Sequence, residues 1–179
     1  MRKRIWAFSL LILCLLSACS VQETMSPEIF IERLEVDCSG LDYKNAENFY
    51  ESDKYVCFIK NESGIEFMFE ITPDERGNAQ KISLACSKTD KTADFISVAE
   101  SIIRTYAPED DSKEIVSSIF SDGKVPNEFS YFDTQWHYYT CAASDSAFYF
   151  SAESKKLAPE KDAELTLKPN DIDITKGSD

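Results

Sequence analysis

Residues Ile65 to Thr72 constrain the fold more than any other stretch. Ile65, Phe67, Phe69 and Ile71 alternate with Glu66, Met68 and Glu70. Successive side chains on a strand point to opposite faces, so this run reads as a strand with one face in a core and one face outside. A compact apolar run, Tyr55 to Lys60, precedes it across the turn Asn61-Glu62-Ser63-Gly64. A third run, Ala79 to Cys86, follows the turn Pro73 to Asn78 and sets Ile82, Leu84 and Cys86 on one side. Three such runs joined by short turns predict an antiparallel meander.

The helices are written around this meander. Ser26-Pro27-Glu28 is a helix start: serine caps, proline suits the first position, and glutamate favours the positive helix end. Ile29, Phe30 and Leu34 would make its buried face as far as Val36, although Ile29 to Cys38 also carries a strand-like alternation. Asp37 to Lys54 is polar and predicts a long loop, with a brief helical turn near Ala46. Thr92 to Tyr106 is the clearest helix, with Phe95, Val98, Ala99, Ile102, Ile103 and Tyr106 on one stripe. Pro108 stops it. Asp111 or Ser112 caps a second helix with Ile115, Val116, Ile119 and Phe120 inward, and Asp122-Gly123 ends it. Phe129 to Cys141 and Ala147 to Ala152 then predict an aromatic hairpin. The order predicts an α+β domain over residues 26–153, with an antiparallel sheet of about five strands and the helices on one face. From 154 to 179 aromatic residues vanish and a polar, mobile tail is expected, although Leu165, Leu167, Ile172 and Ile174 could make a marginal strand pair.

The chain opens with Arg2, Lys3 and Arg4, followed by an apolar stretch from Ile5 to Leu16. Positive charge and then a short apolar core is the layout of an export signal. At about a dozen residues the stretch is too short to span a membrane, which takes roughly 20. It ends Leu16-Ser17-Ala18-Cys19, an aliphatic residue, two small residues and a cysteine. These residues resemble the lipobox of bacterial lipoproteins. The resemblance covers the first 20 or so residues only. It implies that residues 1–18 are a signal peptide that is removed, and that Cys19 becomes the first residue and carries a diacylglyceryl group with palmitate-type chains. It further implies attachment at the extracytoplasmic face of the cell membrane or outer membrane; Ser20 is compatible with the latter. The competing reading is an ordinary signal peptide cut after Ala18, with Cys19 a plain thiol. Each buried methylene contributes about 0.8 kcal/mol, so two or three chains hold where one binds marginally. Ser20 to Met25 is then a tether reaching some 20 to 25 Å.

The formal charge is −13. Removing three basic residues and no acidic ones takes it to −16, which disfavours nucleic acid and anionic lipid as partners. Four cysteines remain beyond Cys19: Cys38, Cys57, Cys86 and Cys141. In an exported domain they could form two disulfides, with Cys38–Cys57 and Cys86–Cys141 the preferred pairing among three, or serve simply as small buried residues. None has the C-x-x-C spacing of a redox or zinc motif.

The residues point to no catalytic motif, cofactor or metal. His137 is the only histidine, so a histidine-dependent triad or a multi-histidine zinc site has little to draw on. It sits in Gln135-Trp136-His137-Tyr138-Tyr139, where a lone strand histidine is usually structural. Glu66 and Glu70 share a strand face about 13 Å apart, too far for a glycosidase pair. Consecutive aromatics must face both ways on a sheet, which leaves Trp136 and Tyr138 as a candidate binding face for an envelope protein, peptide or glycan. The leading reading is a noncatalytic binding or interaction domain anchored to the membrane through its lipid. The alternatives are an envelope hydrolase using acidic residues, and an inhibitor or immunity-type lipoprotein.

Overall fold

The computed structural model describes residues 25–88 and 91–155. The expected leader, Cys19, the tether up to Thr24, and the tail from residue 156 onward, with Leu165, Leu167, Ile172 and Ile174, lie outside the described residues.

Among the described residues, three α-helices and seven strands make an α+β fold. The chain runs through α1 (Pro27–Asp37), β1 (Glu47–Glu51), β2 (Lys54–Lys60), β3 (Glu66–Pro73) and β4 (Ala79–Ser87). It continues through α2 (Thr92–Tyr106), α3 (Ser112–Ile119), β5 (Ser130–Asp133), β6 (His137–Ala143) and β7 (Ala147–Ser154). The strands form one sheet in the order β1-β2-β3-β4-β7-β6-β5, every neighbouring pair antiparallel. The expected meander is therefore present, and the helix pair links it to a second one that closes against β4 through β7.

The strand count corrects the expected five to seven, for two physical reasons. β1 lies in the stretch expected to be a loop. All five of its residues are exposed, because it is an edge strand paired on one side only, and no alternation marks it. It is held by pairing with β2 and by Phe49, which stacks on Phe58 with ring centres 6.3 Å apart. The second reason is a turn inside Phe129 to Cys141. The Thr134 hydroxyl accepts from the backbone N–H of Trp136 and of His137, at 3.2 and 3.0 Å, and the chain reverses there. One expected strand is thus two.

The helices cover one face. Ser26 caps α1 by accepting from the Ile29 N–H, and Phe30 and Leu34, one turn apart, are fully buried. The buried face stops there: Val36 is 82% exposed. In α2 the predicted stripe is buried from Phe95 to Ile103. Asp111 caps α3 by accepting from the N–H groups of Lys113 and Glu114, and Ile115 and Ile119 point inward. A row of sheet residues directly opposite one another lies beneath them: Cys57, Phe69, Leu84, Phe150 and Cys141. All are at most 2% exposed.

The strand order and the free thiols correct the expected disulfides. All four cysteines are buried free thiols. β7 lies between Cys86 and Cys141, and β3 lies between Cys57 and Cys86. Neighbouring strands are about 4.8 Å apart, so each of these pairs is separated by about 10 Å or more. A disulfide needs Cα atoms within about 7 Å. The preferred Cys86–Cys141 bridge is therefore excluded by strand order. The Cys38–Cys57 bridge is not formed either: Cys38 ends α1 as a thiol near the Tyr43 hydroxyl. Burial pushes the thiols of Cys57 up to about 11 and those of Cys86 and Cys141 up to about 12.

Candidate functional site

The densest polar constellation among the described residues sits where the α2–α3 link meets the β5–β6 turn. Pro108 ends the helical run, and the link carries Glu109, Asp110 and Asp111. Asp111 turns to cap α3. Asp110 turns inward, where its side chain is 6% exposed. One carboxylate oxygen, Oδ2, takes three partners. It accepts from the Tyr139 hydroxyl at 2.7 Å and the Thr134 hydroxyl at 2.9 Å, and lies 2.8 Å from His137 Nδ1. A carboxylate only accepts, which places the imidazole proton on Nδ1. Tyr139 is fully buried. Burial, and then the hydroxyl's bond to Asp110, holds its phenol proton well above the usual range. The Tyr106 ring meets the His137 ring edge-on at 5.3 Å, and the Tyr106 hydroxyl donates to the Gln80 carbonyl.

The imidazole and two hydroxyls of this arrangement are tied to one carboxylate oxygen. A nucleophilic site needs a hydroxyl or thiol on the free imidazole nitrogen. Here the Glu109 carboxylate lies 3.9 Å from Nε2, and the Thr134 and Tyr139 hydroxyls both donate to Asp110. Among the described residues no three metal-ligating side chains converge. His137, read in the sequence as an isolated strand residue, is thus a buried member of a network. Asp110 is its hub, and no local sequence signal separates it from Asp111.

The residues proposed for binding lie at the same corner. Tyr138 is on the open face of the sheet, half-buried, with the Tyr131 ring 5.9 Å away and the Lys155 ammonium 4.7 Å above its own ring. Trp136 is in the β5–β6 turn, just before the strand, and is 43% exposed. The two are therefore near neighbours, but only Tyr138 belongs to the sheet face. The rest of that face is mixed. Ion pairs such as Lys54–Glu70 and Lys81–Glu153 border a floor of small residues, where the Thr140 and Ser151 hydroxyls bond at 2.7 Å. On the helical side, a depression of about 400 Å³ is lined by Glu100, Lys113, Val116, Ser117, Phe120 and Asp122.

No helix among the described residues is long and apolar enough to cross a membrane. No protein-family model, curated protein or solved structure matches this chain.

Proposed function

We propose that the protein is an envelope lipoprotein, anchored by lipid on Cys19, whose folded part is a noncatalytic binding domain. The anchor rests on one observation: Arg2-Lys3-Arg4, a short apolar core and Leu16-Ser17-Ala18-Cys19 occur in order and at the right lengths. The binding role is supported by the aromatic corner of Tyr131 and Tyr138 on the sheet face opposite the helices. Such surfaces serve recognition of proteins, peptides or glycans. The Asp110 network, with its hydroxyls committed and its imidazole proton fixed, supports a rigid scaffold for that corner.

The anchor is tested by phase partitioning of cell extracts in a detergent that separates on warming. The wild-type protein is expected in the detergent-rich phase and the Cys19→Ser variant in the aqueous phase. Equal partitioning of the two into the aqueous phase would overturn the reading.

A further inference from the structure

The two ends of the described chain leave the domain at one place. The Met25 carbonyl accepts from the Ala79 N–H at 2.7 Å, which ties the incoming segment to the start of β4. At the other end, the Lys155 N–H donates to the Trp136 carbonyl at 2.8 Å. The start of β4 pairs with the end of β7 through Lys81 and Glu153, and the end of β7 pairs with the start of β6 through Ser154 and His137. Met25, Lys155 and Trp136 therefore share one end of the sheet. Two strand spacings, about 10 Å, separate the β4 start from the β6 start beside Trp136.

Tether length decides which end can meet a membrane. Cys19 to Met25 is six residue steps, which reach at most about 21 Å whatever their path. β4 runs nine residues away from the attachment point, a span of about 26 Å. The far end of the sheet, with the β2–β3 turn at residues 61–65, lies beyond the tether's reach. The near end carries Trp136 at one flank and Tyr50, 57% exposed, toward the other. Tryptophan and tyrosine combine an apolar body with a polar tip, and both concentrate at the water–lipid boundary. The rim between them bears Glu51, Asp53, Asp74, Glu75 and Glu109 against Lys54, Arg76 and Lys155, a net negative balance that favours a zwitterionic surface over an anionic one.

From these positions we propose that this end of the sheet rests on a zwitterionic lipid surface, with the Trp136 side chain at headgroup depth. The inference rests on the lipid anchor at Cys19 and adds an orientation to it. The outward end, with the β2–β3 and β6–β7 turns, then faces away from the membrane.

The sequence supplies its own probe. Its two tryptophans are Trp6 and Trp136, and Trp6 leaves with the leader, so the mature protein reports from Trp136 alone. The full lipidated protein is reconstituted into phosphatidylcholine vesicles, with or without bromine atoms placed high on the acyl chains. Bromine quenches indole on contact, so Trp136 emission should fall by about half in the brominated vesicles, as for an indole at the boundary. A Trp136→Phe, Ser63→Trp variant moves the indole to the β2–β3 turn and should lose almost none. Unquenched Trp136 in protein that floats with the vesicles overturns the orientation and leaves the anchor standing. Quenching of the Ser63→Trp protein as strong as that of Trp136 also overturns it. Protein that fails to float with the vesicles overturns the anchor and the orientation together.

Discussion

The Asp110→Ala protein is expected to melt about 10–20 °C below wild type. The substitution strips three partners at once from buried or nearly buried positions. Tyr139 is fully buried and His137 is 7% exposed, so neither hydroxyl nor imidazole can turn to water without moving the strand. A buried donor left without an acceptor costs about 1–3 kcal/mol, and networks lose more than isolated pairs. The total is about 3–5 kcal/mol. In a domain of this size each kcal/mol shifts the midpoint by several degrees. The Asp110→Asn protein keeps an acceptor oxygen at the hub and should lose less than half as much. Calorimetry or thermal circular dichroism on the three proteins checks this. A loss below about 1 kcal/mol for Asp110→Ala would show that the network does not hold the corner together.

Alkaline unfolding is expected to be equally large and comes from the buried thiols. Cys57, Cys86 and Cys141 have folded-state values of about 11, 12 and 12, raised by burial from an ordinary 9.0. A raised folded value means that the folded state holds its proton more tightly than the unfolded chain. The stabilisation is therefore complete below pH 9 and is lost as pH climbs from 9 through 12. At pH 11 the three thiols together remove on the order of 8 kcal/mol, and the Tyr139 phenol, raised by burial and by Asp110, removes more above pH 10. A domain stable by about 5–15 kcal/mol does not survive that. With thiols kept reduced, far-ultraviolet circular dichroism should be flat from pH 7 to 9 and report unfolding near pH 11. A domain still folded at pH 11.5 would contradict the burial of these groups.

Legibility in the sequence followed periodicity. The Phe67, Phe69, Ile71 alternation and the Phe95-to-Ile103 stripe could be assigned because each buries one side against a single core, and their boundaries fall close to the expected ones. β1 could not, because an edge strand exposed on all five residues has no reason to alternate. The β5–β6 reversal was hidden because the aromatic run Tyr131 to Tyr139 satisfies both faces of a strand. Only the Thr134 hydroxyl, bonding two backbone N–H groups, breaks it. The disulfide expectation failed for a topological reason: β7 enters between β4 and β6 from the far end of the chain and holds Cys86 and Cys141 apart. The candidate site was least legible. Asp110 and Asp111 are identical neighbours, and their opposite fates depend on where His137 and Tyr139 arrive from 27 and 29 residues away.

The most direct test of the central claim is the intact mass of the protein purified from membranes of a bacterial host. The lipid anchor predicts a chain that begins at Cys19, lacks residues 1–18, and carries the added mass of a diacylglyceryl group on Cys19, with or without a third acyl chain. A chain that begins at Cys19 with an unmodified thiol, or one that retains Met1 to Ala18, would contradict it.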